Sequence, residues 1–255
     1  RFCCSDAKLA LRTGYSHRFN VAIDGRRNEG AHQLRQNVRS GTHKAGTTSG
    51  FAPGFVQTNV VMLPKDNAFD FMRFALQNPK FCPLLGVTNP GETSFGRLAI
   101  DSNICLDIPK YRVYRNGEHD SDVDSIEDLW RDDLVTMLFG CSFSWEDILK
   151  DAGLCPRQIE ESCNVPMFQT NIQSNAAGPF GGPLVVSMRP YRPDQLEAVY
   201  RITEQYPGAH GSPLHWGDPE EIGIDSAELN NPPWGDPVQI REGEVPVFWA
   251  CGVST

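Results

Sequence analysis

No apolar run in this chain approaches the roughly 18 residues that a helical membrane span requires, so membrane chemistry is not expected of it. A surplus of positive charge is also missing. Lys and Arg number 23 against 32 Asp and Glu, a formal net charge of -9, which argues against a broad basic face for nucleic acid. A small anionic substrate is still allowed, because a pocket needs only one or two local cations. The eight cysteines, at 3, 4, 82, 105, 141, 155, 163 and 251, include no CxxC pair and are too sparse for a small disulfide scaffold. They read as small buried hydrophobes. No glycine-rich phosphate loop, GxSxG elbow or HExxH helix occurs, so nucleotide hydrolysis, esterase chemistry and zincin proteolysis lack their signatures.

What is present is an ordinary globular composition, 40% hydrophobic and 22% charged over 255 residues, enough for one large domain or two small ones. The chain begins with Arg1, and residues 1–20 hold four Lys or Arg against the single acid Asp6. That bias suits the tail of a mitochondrial transit peptide, with a cytoplasmic location as the alternative. Residues 24–50 are polar, with a short helix over "GAHQLRQNVRSG". Order is expected to begin with a buried strand in "FAPGFVQTNVVMLP". Asp66 should cap a helix over "NAFDFMRFALQNP", with Phe69, Met72 and Leu76 on its buried face and Phe71, Phe74 and Ala75 widening it, stopped by Pro79. "CPLLGVT" is a second short apolar run.

"KYRVYRNGEH" carries an Asn-Gly hairpin signal. A helix is expected over "SIEDLWRDDLVTMLFG" with Ser125 as cap, then a strand in "LVVSMRPY" and a helix over "RPDQLEAVYRITEQYP" with Pro193 in its first turn. Two short strands should flank the Glu-Gly turn of "PVQIREGEVPVFWACGV". Strand and helix alternate, which favours an α/β architecture.

In "FGCSFSWEDIL", Ser144 followed three residues later by Asp147 reads as a helix cap. The same helix start would let the amides around Cys141 and Ser142 hold a carboxylate. No base adjoins Cys141 in sequence, so a nucleophilic thiol would need a distant partner. "IEESCNVPMFQTNI" gathers Glu160, Glu161, Asn164, Thr170 and Asn171. "AHGSPLHWGDPEEIGI" holds His210, His215 and Asp218 in a loop dense with Gly and Pro, where His-x4-His is a weak metal spacing. No metal and no cofactor is expected. "VVSMRPY" puts Ser187 and Arg189 near the end of a strand, where α/β folds place ligands.

Together these blocks, with "GFAPGFVQTNVVMLPKDNAFDF", "NPKFCPLLGVT", "LWRDDLV" and "EVPVFWACGV", resemble the hydro-lyase family that includes D-glutamate cyclase, in family order over roughly residues 35–253. The resemblance implies an α/β fold in two parts, a larger three-layer α/β unit (31–107 and 181–255) and a smaller α+β unit (108–180), after a disordered or targeting stretch at 1–30. It implies cyclisation of D-glutamate, a small-molecule substrate, to 5-oxo-D-proline with loss of water. It also implies a further segment with a His-Ala-Pro-Gly turn beyond the end of this sequence. The alternatives are a hydro-lyase acting on another small amino or hydroxy acid, and a non-catalytic carboxylate-binding protein. For lactam formation an Arg should clamp the α-carboxylate, and Arg189 is the candidate, with Ser187 beside it. Proton carriers are sought in His210 or Glu161, and anion donors in Ser142, the Cys141 amide, Asn164 and His215.

Overall fold

The computed structural model describes residues 8–11, 25–44 and 46–255, with backbone course alone for 8–11 and 25–29. In chain order its elements are β1 (Lys8–Leu11), α1 (Gly25–Arg39), β2 (Val56–Pro64), α2 (Lys65–Gln77), β3 (Leu84–Val87), β4 (Tyr111–Arg115), β5 (Glu118–Val123) and β6 (Leu134–Gly140). There follow α3 (Glu146–Asp151), α4 (Arg157–Glu160), β7 (Met167–Gln173), β8 (Pro183–Tyr191), α5 (Leu196–Thr203), β9 (His215–Trp216) and β10 (Val245–Ala250). Within the stretch expected to lack structure, Lys8–Leu11 pairs with β2 and α1 begins at Gly25.

The fold is mixed α/β. One sheet has the order β1-β2-β6-β3, a second β7-β8-β10-β9, and β4-β5 forms a separate hairpin, with every pairing antiparallel. The hairpin turns where the sequence signals it. Asn116 and Gly117 take φ of 53° and 83°, the left-handed pair that lets Arg115 face Glu118.

The expected helix over 125–140 is instead a single 3-10 turn, Glu127–Leu129, followed by the strand β6. Ser125 is not its cap: Ile126 holds that position, and Ser125 Oγ accepts from the Glu127 amide at 3.2 Å from one residue further out. Val135, Met137 and Phe139 face one core, and Leu138 faces another beside Val60. A strand buried on both faces has no polar alternation, so its run of apolar residues reads equally well as a helix.

Helix α2 sits where expected, but its faces differ. Ala68, Phe71, Phe74 and Ala75 are buried, whereas Phe69 and Leu76 are 64% and 66% exposed. Asp66 makes no cap bond; Pro64 holds the capping position, and Asp66 lies in the first turn, where a negative charge suits the helix dipole. Phe71 meets Phe139 of the first sheet and Phe180 edge-on, so α2 anchors a core that both sheets share. At the end of the chain one strand forms, not two. Pro237 to Ile240 stay irregular, and Arg157 takes the Gln239 carbonyl from outside a ladder.

The second sheet has two different faces. Leu184, Val186, Met188, Phe248 and Ala250 point into the core around α2. Tyr191, Val247 and Trp249 point the other way, where Leu149 of α3 and Val199 of α5 cover them. Ser187 and Arg189 alternate with the first set and therefore lie on this second face.

Candidate functional site

The register of β8 against β10 sets Ser187 opposite Trp249 and Arg189 opposite Val247. Strand β6 delivers Gly140 to the same region, and the chain then turns through Ser142–Trp145 into α3, which starts at Glu146. Gly140 must be glycine. A β-carbon there would lie 1.7 Å from the Gly208 carbonyl oxygen, because the 207–211 turn packs directly on it. Trp145 locks that turn by donating its indole N–H to the Ala209 carbonyl at 2.9 Å.

Arg189 is completely buried and Glu146 is 1% exposed. Arg189 Nη2 donates to Glu146 Oε1 at 2.7 Å and to Ser142 Oγ at 2.9 Å, and Nη1 donates to Ser187 Oγ at 3.1 Å. Its guanidinium carbon stands 4.8 Å from the Trp145 ring and 5.4 Å from the Trp249 ring, so two indole faces supply what water would otherwise give the cation. Glu146 Oε1 also accepts from Gln158 Nε2 at 2.7 Å, and Oε2 accepts from Ser49 Oγ at 2.8 Å. A carboxylate this deep needs such donors beside its cation.

Next to it, Asp147 accepts from the Gly54 amide at 2.9 Å, and burial raises its carboxyl pKa above the ordinary value. Burial likewise pushes up the Tyr191 phenol, which donates to the Leu154 carbonyl at 3.1 Å. Chemically, the cluster offers a fixed cation able to orient a carboxylate and two hydroxyls on that cation.

Three of the residues singled out by sequence, Arg189, Ser187 and Ser142, meet in this cluster. Cys141, one residue away, turns into a small apolar cluster with Phe143, Val165, Met167 and Val185. Its amide is already spent on the Gln57 carbonyl at 2.9 Å, so it is not an anion donor here. Ser144 is no helix cap either. Its buried hydroxyl accepts from the Gln57 amide at 2.9 Å and donates to the Cys141 carbonyl at 2.7 Å.

The other candidates lie elsewhere. Asn164 ties two distant segments together, its backbone amide donating to Asp236 Oδ2 at 2.8 Å. Glu161 is exposed and accepts weakly from the Gln239 amide at 3.3 Å. His215 pairs with Phe248, so it lies on the sheet face away from Arg189, and Nε2 donates to the Asp218 carbonyl at 2.7 Å. His210 is 2% exposed with φ of 74°, and Nδ1 donates to the Lys80 carbonyl at 2.9 Å. It adjoins Ala209, the residue that Trp145 holds. Among the described residues no group of three or more His, Cys, Asp or Glu side chains could hold a metal ion.

Sequence reasoning missed Glu146, Gln158, Ser49 and the two tryptophans as site residues. One signal was available: Glu146 is the first of two acids, Glu146 and Asp147, that follow a stretch of small and apolar side chains ending in Trp145.

Comparison with known proteins defines the class. Residues 135–255 match the family described as D-glutamate cyclase. Across 224 residues the chain is 50% identical to a Bordetella petrii protein, covering 88% of this chain and 84% of that protein. A Corynebacterium jeikeium protein is 50% identical over 222 residues, 87% of this chain and 80% of its own length. A Burkholderia multivorans protein is 52% identical over 223 residues, 87% and 84% of the two chains. All three carry the name "Putative hydro-lyase". The chain belongs to this hydro-lyase family, that of D-glutamate cyclase.

These relatives are bacterial and lend no support to a mitochondrial location. The residues that prompted that expectation lie, apart from Lys8–Leu11, outside the described ones. Among the described residues no helix is long and apolar enough to cross a membrane.

Proposed function

We propose that the chain is a hydro-lyase that cyclises D-glutamate to 5-oxo-D-proline. The observation that carries this reading is the family relationship, at about half identity over nearly nine-tenths of the chain. In the reaction the α-ammonium gives up a proton and its nitrogen attacks the γ-carboxyl carbon. The C–N bond closes a five-membered ring, and one carboxyl oxygen leaves as water. Ring closure within one molecule is entropically easy. The difficult part is the carboxylate, a poor electrophile until its departing oxygen is protonated.

In this reading Arg189 fixes the substrate's α-carboxylate between Trp145 and Trp249, and the hydroxyls of Ser142 and Ser187 define the clamp's second edge. His210, buried beside the Trp145 turn, is the better placed of the two proton carriers, since Glu161 is exposed. Cys141 acts only by bulk, because the substrate brings its own nucleophile. Incubation with D- and L-glutamate, followed by chiral chromatography of 5-oxoproline with mass detection, tests the proposal. Product from the D-enantiomer alone is expected. Equal rates on both enantiomers, or no product from either, would refute it.

A further inference from the structure

We propose that Glu146 occupies the place of a substrate carboxylate on Arg189, and that a small dicarboxylate enters by exchanging with it. The inference rests on the functional reading above and deepens it. The geometry of the guanidinium is the first support. Its side-on face consists of the Nε and Nη2 protons, the pair that grips both oxygens of a carboxylate. Glu146 takes only Nη2, and Nε is buried with no hydrogen-bond partner. A carboxylate spanning both nitrogens satisfies a donor that Glu146 leaves unmet. Such an orphan is costly where it stands.

The second support lies on the Glu146 side. Without Arg189, its Oε1 still accepts from Gln158 and its Oε2 from Ser49. The displaced carboxylate therefore keeps two hydrogen bonds, and the cost of exchange is confined to the loss of its cation. Gln158 also presents Oε1, buried and without a hydrogen-bond partner. An acceptor two bonds from the nitrogen that meets Glu146 suits an ammonium group, so the pair of orphans, one donor and one acceptor, matches the two charged ends of an α-amino acid. Ser49 is only half-buried and is followed directly by the exposed Gly50, so this end of the carboxylate is the one nearer the surface. Glu146 is thus a positioning residue, acting through Arg189.

Calorimetric titration with glutarate, a dicarboxylate that cannot cyclise, tests the exchange. Glu146→Gln keeps the shape and removes the competing charge, so glutarate should bind about tenfold or more tightly than to the unaltered chain. Adding Arg189→Lys to that variant should abolish the gain. Ser49→Ala, which leaves the ion pair intact but removes a donor that the displaced Glu146 keeps, should weaken glutarate binding about two- to fivefold. On D-glutamate, Ser49→Ala should raise KM with a smaller effect on kcat. Unchanged or weaker glutarate binding in folded Glu146→Gln, or tighter binding in folded Ser49→Ala, overturns the exchange. If binding tightens but the unaltered chain yields no 5-oxoproline, the exchange stands and the proposed reaction falls. If 5-oxoproline forms but Glu146→Gln does not tighten glutarate binding, the reverse holds.

Discussion

Replacing Arg189 by Met keeps an unbranched stem between the two indoles but removes the cation. Three hydrogen bonds disappear, to Ser187, Ser142 and Glu146, along with both ring contacts. Glu146 stays where it is, 1% exposed, with only Gln158 and Ser49 as donors. Breaking a buried pair from one side costs about 3–5 kcal/mol, mostly because the surviving charge is stranded. Against a total stability of about 5–15 kcal/mol, that loss brings the fold close to its limit. The double variant Arg189→Met/Glu146→Leu removes the stranded charge and should recover about 2 kcal/mol or more, with the hydroxyls and Gln158 left as the remaining cost. Urea unfolding followed by far-UV circular dichroism at pH 7 measures the parent, both single variants and the double variant. A loss below about 1 kcal/mol for Arg189→Met, the range of an exposed pair, would refute the reasoning. A double variant as unstable as the sum of its singles would refute it as well.

Ser144→Ala should cost about 1–3 kcal/mol, since it strands the buried Gln57 amide, and the urea midpoint should fall without a change in slope. Gly140→Ala should cost at least about 1–3 kcal/mol by driving a methyl group into the Gly208 carbonyl, seen as a lowered Tm. For Asp147 the folded carboxyl pKa lies above the unfolded one because of burial, so the folded chain binds the extra proton and stability falls as pH rises through that interval. Asp147→Asn keeps an acceptor for the Gly54 amide and removes this cost. It should therefore match or exceed the parent at pH 7, with the advantage vanishing below about pH 4; a lower urea midpoint at pH 7 would contradict this.

Local signals in the sequence were read well where local forces decide. Asn116-Gly117 made the hairpin legible because the turn demands two left-handed residues in a row. Pro193 and the apolar spacing after it did the same for α5. The strand β6 was illegible because tertiary packing buries both of its faces and erases its period. The face of α2 was misjudged because Phe69 and Leu76 are large and apolar yet remain at the surface. At the site, Arg189 and Ser187 were found from their place on a strand. Their partners were not, since Glu146 stands 43 residues and Ser142 47 residues away along the chain. Only the docking of the β6 end onto β8 brings them together, and no spacing in the sequence records that approach.

The two indoles around Arg189 have a further consequence. Trp145 and Trp249 are both fully buried, with ring centroids 5.5 Å apart, while Trp216 is 49% exposed. Their emission therefore belongs at the blue edge of the protein's spectrum, separated from that of Trp216, and it is set in large part by the one positive charge between them. Movement of that charge registers as a change in intrinsic fluorescence. The centre of this protein carries its own optical probe, readable in stopped flow without any label.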